Sequence, residues 1–227
     1  RYSRDAAGIS HQGRKLTIGM DTSYAPAEFL AEDGKTPVGF DVDIAKALAN
    51  MFGLEVVPQT SNFDSIIPSI GTKYDIGISS FTITPERMEA VDFVSMFKAG
   101  STWVVKKGNP NKVATSDLCG LKIAVQTGTT QEEEVNAAAK QCKADGKSEV
   151  QILSNKLQTD VTTNVATGKA DVFYAEFAGR RLCHRANRRY ARSPRRGCRR
   201  DQGGRGNQKG RFRYRQGGAG RTAEAHG

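Results

Sequence analysis

Between residues 15 and 174 the spacing of apolar positions switches repeatedly from strand-like runs to helical stripes, and each switch marks an element. Lys15–Met20 reads as a strand ending at Asp21. Val42, Ile44, Ala45, Leu48, Ala49 and Phe52 form one helical face over Asp41–Phe52, stopped by Gly53. Glu55–Gln59 is a short strand that Pro58 should end, Asp64–Ile70 a short helix despite Pro68, and Tyr74–Ile78 a strand. Thr84 and Pro85 suit the N-cap and first position of a helix. Ser101–Val105 is again strand, closed by the turn-rich Lys106–Pro110.

A second unit begins at the strand Leu121–Val125. A Gly/Thr turn, Gln126–Gln131, leads into the helix Glu132–Cys142. Val150–Leu153 (strand), Thr159–Thr167 (helix) and Ala170–Tyr174 (strand) follow. Strand and helix alternating in this way specify an α/β protein with mostly parallel sheets. Two such units joined near 104–110 imply two lobes and a cleft, with ligands expected outside the carboxyl ends of the strands. The expected organisation is a disordered segment 1–13, a first lobe 14–104, a partial second lobe 105–176 and a tail 177–227.

Candidate chemistry collects at those strand ends. Ser79, Ser80 and Thr82 follow a strand, and Arg87 stands seven residues beyond Ser80. Hydroxyls and free backbone N–H groups suit a carboxylate, which a guanidinium grips bidentately. A lone helical arginine would by default pair with Glu86 or Glu89; the hydroxyl cluster before it tips the balance toward binding. Asp21 can face a cation and Tyr24 an aliphatic chain, against the plain alternative of an Asx turn with a core tyrosine. Phe63 offers a second ring, or is simply core. The Gly128-Thr129-Thr130-Gln131 turn opens a helix, where backbone N–H groups attract anions. It lacks the Lys-Ser/Thr of a nucleotide P-loop, so a carboxylate suits it better than a phosphate. Glu132–Glu134 read as solvated first-turn acids. Glu176 is an acid at a strand end, suited to an ammonium group. His11, His184 and His226 lie outside the patterned region, and no metal site, cofactor or catalytic residue is expected.

Charge changes the picture only at the C-terminus. From Arg180 onward fifteen Arg and one Lys face two acids, a net +14, whereas residues 1–179 hold 18 basic and 22 acidic groups, a net −4. The tail is rich in Arg doublets and Gly-Gly, has no apolar period, and cannot bury enough surface to offset its ordering entropy. It reads either as a nucleic-acid arm, for which its aromatics are sparse, or as a frameshift product. Arginine CGN codons read one base later become GNN codons, and a one-base shift of residues 176–227 permits a patterned strand–loop–helix sequence. Codons in the encoding DNA that forbid the shift would end this idea.

Cys119 and Cys142 flank a strand and a helix with no Cys-x-x-Cys or histidine nearby. They fit a disulfide better than a metal site, with two free buried thiols as the alternative, and point to an extracytoplasmic protein. There is no spanning run of eighteen apolar residues and no apolar leader core.

The blocks DTSYAP, GFDVDIAKALA, NFDSIIPSI, SSFTITPER, VQTGTTQEE and ADVFYAE, in this order over about residues 14–176, resemble the polar amino-acid-binding family of extracytoplasmic solute-binding proteins that serve ABC importers (family 3). The resemblance implies a two-lobed, type II periplasmic-binding-protein fold that closes on one amino acid. By that resemblance Arg87 binds the α-carboxylate with Thr82, Thr130 and neighbouring N–H groups. Ser80 and the acid at 176 take the α-ammonium, while Asp21, Tyr24, Phe63 and Gln131 line the side-chain pocket beside Ser79 and Thr129. The Cys119–Cys142 pair fits family members from Gram-positive bacteria, which are tethered as lipoproteins. Two departures stand out: Glu176 replaces the usual Asp, and the Arg/Gly tail replaces the segment that returns to complete the first lobe, leaving the fold incomplete at the C-terminus.

The expected function is a monomeric extracytoplasmic receptor, not an enzyme, that hands a free polar amino acid, tilted toward a basic one, to an ABC permease by hinge closure. Its only membrane link would be a lipid anchor outside this chain, and no nucleic acid enters its native function. Two rivals are an enzyme on the same fold, a dehydratase or lytic transglycosylase using Glu176 or Asp21 as catalytic acid, and salt-dependent nucleic-acid binding by the tail.

Overall fold

The computed structural model describes residues 15–177. The segment 1–13 and the tail from residue 178, with the disorder and frame expected of them, lie outside the described residues.

β1 (Lys15–Met20) is followed by three very short strands, β2 (Ser23–Tyr24), β3 (Glu28–Leu30) and β4 (Pro37–Val38), which pair antiparallel in one small sheet. α1 (Phe40–Phe52) ends on Gly53 in the left-handed conformation, the stop expected from the sequence. β5 (Glu55–Thr60) and β6 (Ile76–Gly77) flank β1 in parallel, in the order β5-β1-β6. Pro58 does not end β5, because β5 is an edge strand and a missing N–H is tolerated there. It does act at Pro68: α2 (Phe63–Ile66) gives way to a 3-10 turn at Ile67–Ser69 instead of continuing to Ile70. α3 (Pro85–Met88) is a single turn, N-capped by Thr84 Oγ1, which accepts from the Arg87 N–H at 3.2 Å.

β7 (Gly100–Val105), β8 (Lys122–Gln126), β9 (Gln151–Asn155) and β10 (Val172–Phe177) form a second sheet in the order β7-β10-β8-β9, with only β7 antiparallel to its neighbour. A boundary at 104/105 would cut β7, whose pairing with β10 places the whole strand in this sheet. β10 also runs to Phe177, taking in the first residue of the expected tail. α4 (Thr130–Ala144) and α5 (Gln158–Thr167) cover the two faces of this sheet.

The cores follow the strand alternation. Leu16, Ile18 and Met20 of β1 pack with Val42, Ala45 and Ala49 of α1, the buried Leu, Ile, Met and Val side chains each stabilising by roughly 1.5–3 kcal/mol. Phe52, the last residue of the expected stripe, is instead 53 % exposed. Ile123 and Val125 of β8 meet Val135 and Cys142 of α4, while Ala124 turns to Val161 and Val165 of α5. A disulfide joins Cys119 to Cys142 and ties the end of α4 to the segment before β8. No helix among the described residues is long and apolar enough to cross a membrane.

Candidate binding cleft

The carboxyl ends of β1, β6, β8 and β10 converge on one cleft, whose empty space including its open mouth is about 420 Å³. All eleven residues expected at the site line it. Asp21 and Tyr24 arrive on the turn after β1, Phe63 at the start of α2, and Ser79, Ser80 and Thr82 after β6. Arg87 comes from α3, Thr129, Thr130 and Gln131 from the entry to α4, and Glu176 from β10.

Arg87 sits where the two sheets meet. Its Nη1 donates to Thr82 O at 2.8 Å and its Nη2 to Gly128 O at 2.9 Å, across the cleft. The guanidinium lies 5.6 Å from the Phe63 ring centre and 5.8 Å from that of Phe81, and these two rings stack at 4.5 Å. Burial pushes its pKa down while Glu133, Glu176 and Glu86 push it up, so the group stays a cation. Arg87 is therefore not spent on Glu86 or Glu89.

The acids are held differently from one another. Glu176 accepts from Thr82 Oγ1 at 3.1 Å through its side chain and from the Tyr24 hydroxyl through its backbone carbonyl. Burial raises the Glu176 carboxyl above its ordinary range, partly offset by Thr82 and Arg87. Asp21 is 1 % exposed; one oxygen accepts from the Ser23 N–H at 3.0 Å and the other from Gln126 Nε2. It too is raised by burial. The Tyr24 phenol is raised strongly, first by burial and then by Glu176, Glu28 and Asp41.

Several expected donors are already engaged. Thr129 N-caps α4, accepting from the Glu132 N–H at 3.2 Å while its hydroxyl donates to Gln126 O at 2.7 Å. Gln131 donates to Ser101 Oγ at 2.7 Å. The Gly128 N–H, expected for a ligand carboxylate, donates to Glu132 Oε2 at 2.7 Å. Glu132 is thus an anchor rather than a solvated charge, whereas Glu134 is exposed, as expected, with one oxygen accepting from the Tyr174 hydroxyl at 2.8 Å.

Sequence reading missed five lining residues: Glu28, Gln126, Gln158, Tyr174 and Ala175. Gln126 ends the strand that begins at Leu121 in the sequence, where ligands are expected, and Tyr174 shares a strand face with Glu176, so strand ends point to the first and period-two counting to the second. Glu28 lies on β3, too short to show a period, and Gln158 opens α5, where its N–H donates to Ser23 Oγ at 2.9 Å. Beside the cleft Lys156 Nζ reaches Asp64 Oδ2 at 2.6 Å, a further link between the two sheets.

Residues 16–156 match the model of the bacterial extracellular solute-binding proteins, family 3. The arginine-binding protein ArgT of Corynebacterium glutamicum is 36 % identical over 164 residues, which are 71 % of this chain and 53 % of that protein. The chain thus spans about half the length of this relative. An ancestral arginine-binding protein solved with arginine superposes with a TM-score of 0.68 at 33 % identity, covering 79 % of this chain and 77 % of the other. The ancestral amino-acid-binding protein AncCDT-1, described as a precursor of cyclohexadienyl dehydratase, superposes with a TM-score of 0.64 at 34 % identity, covering 72 % and 70 %. The fold is the two-lobed type II periplasmic-binding-protein fold, and the chain belongs to the bacterial extracellular solute-binding proteins, family 3.

Proposed function

We propose that the protein is an extracytoplasmic receptor for a free basic amino acid, L-arginine first, which it delivers to an ABC permease by closing two lobes on the ligand. The observation that carries this reading is the cleft's split polarity. One guanidinium, Arg87, stands over two aromatic rings, while Ser80, Asp21 and Glu176 supply acceptors and acids to the same space. A zwitterion with a long cationic side chain satisfies such a lining, and the arginine-binding relatives support that choice. In this proposal Arg87, Thr82 and Thr130 take the carboxylate and Ser80 with Glu176 takes the ammonium. Asp21, Tyr24, Phe63 and Gln131 face the side chain, and Ser79 and Thr129 brace the cleft wall. The receptor works as a monomer on a lipid anchor, the lobes divide near β7, and the Arg/Gly tail is a frameshifted stretch.

A thermal-shift screen of twenty amino acids, on this chain and on a frame-restored version, tests the proposal. L-Arginine at a hundredfold excess over its Kd should stabilise by about 2.7 kcal/mol, and Arg87→Ala should remove the shift. Silence of the restored chain toward all twenty would overturn it. Turnover of a cyclohexadienyl acid would replace it with the enzyme reading.

A further inference from the structure

Behind the cleft serines lie two acids that the receptor reading leaves unused. Glu28 stands on β3 and Asp41 in the first turn of α1, and both residues are 0 % exposed. Glu28 Oε1 accepts from Ser79 Oγ at 2.6 Å, and Asp41 Oδ2 accepts from Ser80 Oγ at 3.0 Å. The remaining oxygens, Glu28 Oε2 and Asp41 Oδ1, have no hydrogen-bond partner among the described residues. The two carboxyls stand behind adjacent serines, close enough that the Asp41 charge adds to burial in raising the Glu28 carboxyl, while the Ser80 hydroxyl and N–H lower that of Asp41 against its own burial. The other groups facing them are Asp21, which adds charge of the same sign, and the Tyr24 phenol.

Two ionised carboxylates cannot stand this close in a dry site without a counter-charge. One proton resolves it. The protonated carboxyl donates to the ionised one, and both unpaired oxygens are satisfied at once. The positive end of the α1 dipole favours the charge on Asp41, which leaves the proton on Glu28. Burial and the Asp41 charge hold the Glu28 carboxyl well above the ordinary carboxylate range, in keeping with that assignment.

The consequence reaches the cleft through the serines. The Ser79 hydroxyl accepts from the Asp21 N–H at 3.0 Å and donates to Glu28, so it has little left for a ligand. The Ser80 hydroxyl gives its only proton to Asp41, so what it turns toward the cleft is lone pairs. Its backbone stands at φ 48°, a left-handed conformation uncommon for serine, which holds it at this spot. A ligand group seated there must donate.

We propose that Glu28 and Asp41 form a proton-sharing pair, fixed as acid and carboxylate, that orients Ser80 as an acceptor and makes this end of the cleft selective for an ammonium group. The ligand part rests on the receptor reading; the proton pair does not. Both acids are positioning residues: Asp41 holds Ser80 directly, and Glu28 acts on it through Asp41.

Two measurements on the full chain test this. Carbon-13 NMR of glutamate-labelled protein, with Glu28→Gln to assign the signal, should show the Glu28 carboxyl still protonated at neutral pH. Titration together with the surface glutamates would overturn the pair. Calorimetry with L-arginine and with 5-guanidinopentanoic acid, which lacks the ammonium, tests the orientation. Glu28→Gln keeps a donor toward Asp41 and should weaken arginine less than Asp41→Asn does. Asp41→Asn can itself donate to Ser80 and turn the hydroxyl proton into the cleft. It should weaken arginine by roughly tenfold or more while changing the ammonium-free analogue by less than about threefold. Equal losses for both ligands, or a Glu28→Gln defect as large as that of Asp41→Asn, would overturn the positioning role. If the frame-restored chain also ignores arginine, the receptor reading fails and the NMR result still decides the pair; it also decides if Asp41→Asn does not fold.

Discussion

Substituting Gly128 by alanine separates the stability of the fold from the closure of the cleft. Gly128 sits in the turn between β8 and α4 at φ +77°, and a methyl group built on it would lie 2.7 Å from Asp64 Cβ and 3.2 Å from Asp64 Cα. Two effects follow, and they fall on different equilibria. Holding alanine in the left-handed region costs about 1–2 kcal/mol whatever the cleft does. The clash with Asp64 arises only when the two sheets approach, because Asp64 belongs to α2 and Gly128 to the turn after β8. Ordinary contact needs 3.4 Å or more, and the opposing atoms are Cβ and backbone, which no rotamer change can move. Overpacking of this kind costs about 1–3 kcal/mol, equivalent to roughly 5- to 150-fold in affinity. The displacement also pulls Gly128 O from Arg87 Nη2, now at 2.9 Å.

Trp103 is the single tryptophan and stacks on the cleft residue Tyr174 at 4.0 Å, so its fluorescence reports urea unfolding. In the proposed receptor, calorimetry with L-arginine reports closure. Gly128→Ala should lose about 1–2 kcal/mol of unfolding free energy and bind arginine at least about fivefold more weakly. A stability loss of that size with arginine affinity unchanged within about twofold would show that Asp64 and Gly128 do not meet in the ligand-bound state, and would refute the reasoning.

Two further outcomes follow from the structure. Replacing both Cys119 and Cys142 by alanine opens a link spanning 23 positions of sequence and should lower stability by about 3 kcal/mol in urea titrations. Neither cysteine lines the cleft, so arginine affinity should stay unchanged; a large affinity loss would place the disulfide's role at the site. Burial raises the carboxyls of Glu28, Asp41, Asp21 and Glu176, so over the window above the ordinary carboxylate range the native state binds more protons than the unfolded chain. Stability should fall as pH rises from about 4.5, by up to about 1.4 kcal/mol per pH unit for each such proton. Exposed Asp33, shifted the other way by Thr36, contributes little. Urea midpoints that rise between pH 4.5 and 7.5 would contradict that sign.

What could be read from the sequence was set by element length. α1, α4 and α5 run for ten residues or more and β1 and β8 for five or six, long enough to show a period. β2, β3 and β4 hold two or three residues each and show none. Missing them meant missing Glu28, whose acidic side chain points inward from a strand that alternation cannot reveal. The cleft itself was legible because its residues follow strand ends, and strand ends mark where ligands sit in parallel sheets. Their hydrogen bonds were not legible. That Glu132 takes the Gly128 N–H, or that Gln126 holds Asp21, depends on distances between segments far apart in the chain.

Neither sheet alone makes the site. Ser80, Thr82, Arg87 and Phe63 come with β1 and β6, while Thr130, Gln131 and Glu176 come with β8 and β10. A ligand held by both sets gains its full contacts only when they are together, so its differential affinity for the closed arrangement is the free energy available to shift the population. The protein's own cross-cleft contacts set how much of that is needed. Arg87 to Gly128, Thr82 to Glu176 and Lys156 to Asp64 already join the sheets without a ligand. The exposed Lys156–Asp64 pair adds at most about 1 kcal/mol, too little to hold the cleft shut on its own. Arg87 is the stronger lever. A carboxylate that offers its guanidinium a charged bidentate partner replaces neutral carbonyls with charged acceptors, and the contact that reads the ligand is then also the contact that joins the lobes.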